Sequence, residues 1–128
     1  MNWKNEKECL DVVKENGWAL QQVKEQTLEI CLAAVRQDGL VLKYVKEQTE
    51  EMCLIAIKQN GWALQFVKSQ TEEMSLEAVK QNGLVLKYIR YQTEEMCLIA
   101  VEQNGLALQF VNKKKFPDVY TYYKLLYT

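Results

Sequence analysis

Four cysteines, Cys9, Cys31, Cys53 and Cys97, stand at intervals of 22 residues or twice that. Thiols in such a ladder could ligate a metal or close disulfides. A shared zinc site needs Zn–S distances of about 2.3 Å, and a disulfide needs Cα atoms within about 7 Å of each other. Equivalent positions in stacked helical units lie about 10 Å apart, so neighbouring cysteines fall out of reach. Ser75 fills the missing rung at the same interval, which says that the position wants a small side chain. The ladder reads as structural, and no metal and no cofactor are expected.

Carboxylates come next. Glu50-Glu51, Glu72-Glu73 and Glu94-Glu95 could be taken as acid and base pairs. Consecutive residues on a helix project about 100° apart, and acidic residues at a helix start are already explained by the helix dipole. The sequence contains no histidine, and its serines are Ser69 and Ser75. With no base to activate a nucleophile, no catalytic constellation assembles. The expectation is that the chain is not an enzyme.

Cations form two columns: Lys14, Arg36, Lys58 and Lys80, then Lys24, Lys46, Lys68 and Arg90. Both suit helix C-termini, where positive charge meets the negative end of the dipole. Joined by Lys43, Lys87 and the run Lys113, Lys114 and Lys115, they could instead make a stripe for an acidic protein or RNA. The net charge of −1 disfavours nucleic acid, whose binding rests on a cationic surface. Tyr44, Phe66, Tyr88 and Phe110 form an aromatic column, expected to be core or half-buried. Trp3 and the cluster Tyr120, Tyr122, Tyr123 and Tyr127 lie in the terminal segments. Four tyrosines on one short helix cannot all face inward, and tyrosine is enriched at binding hot spots. The candidate partner-binding residues are therefore Tyr120, Tyr122, Tyr123 and Tyr127, with Lys113, Lys114 and Lys115.

The elements that must position these residues follow from the glycines. All five, Gly17, Gly39, Gly61, Gly83 and Gly105, share the 22-residue interval, and a period of this length marks a repeat architecture. Thr27, Thr49, Thr71 and Thr93, with Asn5 in the first unit, sit where a side-chain oxygen can cap a helix start. Met52, Cys53, Ala56 and Ile57 then recur at helical spacing, while Lys58 and Gln59 point away. Asn60-Gly61 reads as a helix end with glycine in the left-handed conformation. The segment from Trp62 to Ser69 reads as a second, shorter helix, although Leu-Val-Leu-Lys-Tyr in the second and fourth units alone resembles a strand. The expected fold is all-α: a right-stacked helical-repeat solenoid of five 22-residue helix-turn-helix units, 5–26, 27–48, 49–70, 71–92 and 93–114. Phe116-Pro117-Asp118 restarts a helix through Tyr127, and 115–128 is expected to be a C-terminal capping helix. Trp18 and Trp62 alternate with Leu40 and Leu84, so the units repeat best in pairs.

At 128 residues, 48% hydrophobic and 26% charged, the composition is that of an ordinary globular domain. No stretch approaches the ~18 apolar residues of a membrane span. The segment from Met1 to Glu8 carries acidic residues and lacks an apolar core, so no secretory signal is expected and the thiols are expected to be reduced in a cytoplasm.

The motif Ala-Val-Lys-Gln-Asn-Gly-Leu-Val-Leu-Lys-Tyr, from Ala78 to Tyr88, recurring every 22 residues or so, resembles a tandem-repeat domain family of unknown function from giant viruses, protists and some bacteria. The resemblance implies a helical-repeat fold and carries over no catalytic residues. The function expected is a non-enzymatic protein–protein interaction module, acting through repeat surfaces or the tyrosine-rich end, with self-association through the terminal repeats as a further expectation. By analogy with small repeat proteins of mobile elements, the alternative is an inhibitor of a host defence enzyme, such as an anti-CRISPR protein blocking an RNA-guided nuclease.

Overall fold

The computed structural model describes residues 5–127; Trp3 lies outside the described residues. Among these every regular element is a helix, an α-helix alternating with a 3₁₀ helix: α1 (Glu6–Glu15), η1 (Gly17–Gln22), α2 (Leu28–Gln37), η2 (Gly39–Tyr44), α3 (Glu50–Gln59), η3 (Gly61–Phe66), α4 (Glu72–Gln81), η4 (Gly83–Tyr88), α5 (Glu94–Gln103), η5 (Gly105–Phe110) and α6 (Pro117–Tyr127). Each α-helix packs on the next α-helix and each 3₁₀ helix on the next 3₁₀ helix. The result is a two-layered stack whose core lies between the layers.

Helices α1 to α5 each begin at the expected cap. The Oγ1 atoms of Thr49, Thr71 and Thr93 accept from the amides of Met52, Met74 and Met96 at 3.2 Å, and Asn5 Oδ1 accepts from Glu8 at 2.9 Å. A cap of this kind contributes about 1 kcal/mol. Behind it, Met52, Cys53, Ala56 and Ile57 are buried, as are their counterparts in the neighbouring units. Ten residues of helix are marginal alone, so this packing rather than propensity holds the element.

The second segment of each unit is a 3₁₀ helix of six residues, long for that type. Its cause is local. The residue before the glycine (Asn16, Asp38, Asn60, Asn82 or Asn104) has extended backbone, and its side chain accepts from the amide two residues on, at 3.0 or 3.1 Å. The same residue's amide closes the preceding α-helix, as Asn60 does on Ala56 O at 2.9 Å. One asparagine thus ends one helix and starts the next. With three residues per turn, Gly61, Leu64 and Val67 align on one face, and all three are buried. That period explains the strand-like look of Leu-Val-Leu-Lys-Tyr, where Val41 and Leu42 are both fully buried.

The glycines do not adopt the left-handed conformation expected of them: no glycine among the described residues has positive φ. They are required by close approach instead. A Cβ on Gly39 would stand 2.3 Å from the carbonyl oxygen of Ala56 in the next unit, and one on Gly83 would stand 2.3 Å from Ala100 O. The equivalent distances are 2.7 Å for Gly17 to Ala34 O and 3.1 Å for Gly61 to Ala78 O. Each 3₁₀ helix therefore seats its first residue directly on the backbone of the following α-helix, at an alanine.

The last seat differs. In register, the position after Ala100 is Tyr122, which faces outward, and Gly105 faces the Tyr127 ring instead, with a Cβ at 3.3 Å. Helix α6 still buries Val119 and Tyr123, which occupy the cysteine and Ile57 columns.

Gly39→Ala or Gly83→Ala is expected to cost roughly 2–4 kcal/mol, at or above the usual range for overpacking, because the obstacle is backbone. Gly105→Ala, which meets the face of the Tyr127 side chain rather than backbone, is expected to cost under about 1 kcal/mol. Urea unfolding of the three variants checks this; equal costs would mean that backbone propensity, not close approach, selects glycine.

Candidate interaction surface

Two columns of glutamines and one of cations hold one unit to the next. Gln26, Gln48, Gln70 and Gln92 form a column of two-handed clamps. Each donates from Nε2 at 2.7 Å to a carbonyl of the next unit: Tyr44, Phe66, Tyr88 and Phe110 respectively. Each Oε1 accepts in return from the amides of Lys46, Lys68, Arg90 and Asn112 at 2.8–3.0 Å. The thiols of Cys31, Cys53 and Cys97 also point to these oxygens, at 3.6, 3.6 and 3.4 Å. A second column reaches backward: Gln37, Gln59 and Gln103 donate to the carbonyls of Lys14, Arg36 and Lys80, and Gln81 donates to Ile57 O at 2.6 Å. Gln59, expected to point away, is thus exposed in part but engaged.

The second cation column behaves similarly. Lys46 Nζ donates to Lys24 O at 3.0 Å, Lys68 Nζ to Lys46 O at 2.7 Å, and Arg90 to Lys68 O at 2.8 Å. These cations do meet carbonyls after a helix, as the dipole argument wants, but the carbonyls belong to the preceding unit. Shallow openings of 510, 300 and 160 Å³ run along this edge between successive units. The glutamine clamps and threonine caps that line them already have partners, and Cys31, Cys53 or Ser75 completes each lining.

Burial raises the pKa of every cysteine above its ordinary value, Cys97 to about 11. All four are free and buried, which makes them neutral, inert thiols at physiological pH.

At the C-terminal end the predicted residues divide. Tyr123 is buried, and its hydroxyl donates to Glu102 Oε1 at 2.9 Å; burial, then that bond, pushes its pKa up to about 12. Tyr127 stacks on Tyr123 at 6.0 Å and covers Gly105. Tyr120 is half-buried, with the ammonium groups of Lys113 and Lys124 at 4.6 and 5.5 Å from its ring centroid, and hydrogen bonding to Lys113 lowers its phenol pKa. Lys115 donates to Gln92 O at 3.1 Å, replacing the cation absent from the column at Asn112. Lys114 is exposed, its amide held by Asn112. Tyr122 faces outward with Leu125 and Leu126, 60%, 75% and 58% exposed, an apolar stripe at helical spacing.

The surface that sequence reasoning undervalued is the outer face of the 3₁₀ layer. Tyr44, Phe66, Tyr88 and Phe110 are half-buried there, as are Trp18 and Trp62. Trp18 meets Tyr44 edge-on at 5.8 Å and Trp62 meets Tyr88 at 6.0 Å. Lys43 Nζ stands 5.2 Å from the Tyr44 ring and 5.8 Å from Phe66; Lys87 stands 5.0 Å from Tyr88 and 5.9 Å from Phe110. Each lysine is therefore shared between the rings of successive units. The aromatic column was legible in the sequence; its meeting with the lysines across units was not.

The model of a family described as Domain of unknown function (DUF4116) matches residues 28–70, 49–93 and 71–116. The chain belongs to the DUF4116 family. Each match runs across about two units and overlaps the next, which places a tandem array in the family itself and agrees with the helical repeat just described. Among curated proteins and among solved structures nothing matches this DUF4116 chain. No helix among the described residues is long and apolar enough to cross a membrane.

The thiol environment carries a sign. An exposed thiol ionises near 9.0, whereas Cys97 holds its proton to about 11, so the unfolded chain loses protons first. Stability present below pH 9 is expected to fall as the pH rises towards 11. Urea midpoints across that range check this. Cys97→Ser, the side chain native to the column at position 75, should reduce the loss; an unchanged slope in that variant would show that another group titrates.

Proposed function

We propose that the chain is a non-enzymatic protein-binding scaffold. The observation that carries this reading is the division of labour among its side chains. The glutamine, threonine, cysteine and second-column cation positions are engaged within and between units. What remains outward is recognition chemistry: an aromatic face with lysines on the 3₁₀ layer, and the Tyr122, Leu125 and Leu126 stripe on α6. Partly exposed aromatic residues are the side chains that dominate protein interfaces. The α6 stripe is the second contact surface, and the place where the chain would associate with its own copies. An inhibitor of a defence enzyme would be one instance of such binding.

Affinity capture from a native lysate, with bound proteins identified by mass spectrometry, tests this. Two variants accompany the wild type, Tyr122→Ser with Leu125→Ser and Lys43→Glu with Lys87→Glu, each checked for helix content by circular dichroism. A stoichiometric partner released by at least one folded variant supports the scaffold. No stoichiometric partner, or one retained by both variants, overturns it.

A further inference from the structure

The charges of this molecule are sorted by helix type. Helices α1 to α5 carry thirteen acidic residues against five cations. The five 3₁₀ helices contain no acidic residue within their bounds, and their only charges are Lys43 and Lys87; Asp38, which caps η2, is held by the Trp18 indole at 2.9 Å. A chain of net charge −1 therefore presents a cationic, aromatic face on one layer and acid on the other. A partner that docks on the 3₁₀ layer meets lysines and rings, and an acidic partner is turned away from the opposite layer by like charge.

Along that face one column reads Gln21, Lys43, Gln65, Lys87, Gln109, a cation at every second unit. The intervening amides are oriented. Gln21, Gln65 and Gln109 donate from Nε2 to the carbonyls of Trp18, Trp62 and Leu106 at 3.2, 3.0 and 3.0 Å. One of the two Nε2 hydrogens of each is thus engaged on the helix itself, which orients the amide and leaves Oε1 as an acceptor. Beside this column run the half-exposed rings of Tyr44, Phe66, Tyr88 and Phe110.

We propose, resting on the scaffold reading, that the outer face of the 3₁₀ layer is a track for an extended acidic segment of a partner protein, with carboxylates on Lys43 and Lys87 and apolar side chains on the rings between them. Geometry sets the spacing. Units stacked at about 10 Å put the two lysines about 20 Å apart, and an extended chain covers that in about six residues at ~3.3 Å each. Six is even, so both carboxylates leave the extended chain on the same side. At the midpoint, Gln65 accepts from a backbone amide, which an extended segment has free and a helix does not. Two cations on so long a face suit a pair of carboxylates; they are too few for a nucleic-acid backbone, whose affinity rests on neutralising many phosphates.

The test is selection of displayed random peptides, about twelve residues long, on the immobilised full chain. The same library is run against Lys43→Met with Lys87→Met, which keeps the hydrocarbon stems over the rings and removes the charge. A labelled oligo-uridine strand is the competing polyanion. The expected result is enrichment of Asp or Glu about six residues apart with apolar residues between, and binding about tenfold weaker in the methionine variant with unchanged circular dichroism. Peptides without that spacing, no enrichment over the variant, or oligo-uridine binding as tightly as the selected peptides would each overturn the track. A lysate partner released only by the α6 variant would do so too, while leaving the scaffold reading intact.

Discussion

A close backbone approach joins each of the first four 3₁₀ helices to the next α-helix, where a glycine stands on the carbonyl of an alanine. A Cβ at Gly39 would be 2.3 Å from Ala56 O, so the chain can stack this tightly only with glycine on one side. The alanine opposite has its own reason, since a larger side chain would hold the backbones apart. Other long-range contacts inherit their reach from this one. Gln48 can bond Phe66 O and the Lys68 amide together because the two units are held at a fixed separation. Where the pair is lost, at Gly105 and Tyr122, the regular seat is lost too, and a tyrosine ring closes over the glycine.

Once the spacing is fixed, polar side chains become the connectors of the stack. Two or three hydrogen bonds made by each of Gln26, Gln48, Gln70 and Gln92, each contributing about 0.5–1.5 kcal/mol net, satisfy carbonyls and amides in turns that would otherwise lie half-covered and unpaired. The cations of the second column satisfy further carbonyls in the same way. Stability in such an array accumulates from unit to unit, and residues that would suggest catalysis or nucleic-acid binding in another setting serve here as inter-unit bonds.

The sorting of charge has an equally local cause. An α-helix opening on a threonine cap welcomes acid in its first turn, and Glu50-Glu51, Glu72-Glu73 and Glu94-Glu95 sit there. The 3₁₀ helices open on asparagine or aspartate followed by glycine, and their first turn carries apolar residues that must reach the core. Repetition turns these small local preferences into two faces of different chemistry. The aromatic face is a product of that repetition, since Lys43 reaches Phe66 only because the next unit brings it there.

Much of this was legible in the sequence. The period, the threonine caps, the ten-residue α-helices, the helical α6 and the small-residue need of the cysteine column all follow from local rules that act within one unit: capping, helical spacing and side-chain size. Other features required the stack itself. The glycines looked like left-handed helix ends because a sequence shows a glycine's conformational freedom but not the backbone that lies against it. The second helix was expected, but its 3₁₀ form depends on the asparagine turn and on burying positions three apart. Gln59 looked like a solvated position and Lys68 like a cation for its own helix end because their partners stand 23 and 22 residues away, beyond any local pattern. Tyr123 and Tyr122, neighbours in one cluster, were separated into core and surface by where α6 meets α5. Local interactions determined the elements; the close approach of glycine to alanine decided which side chains would be left facing outward.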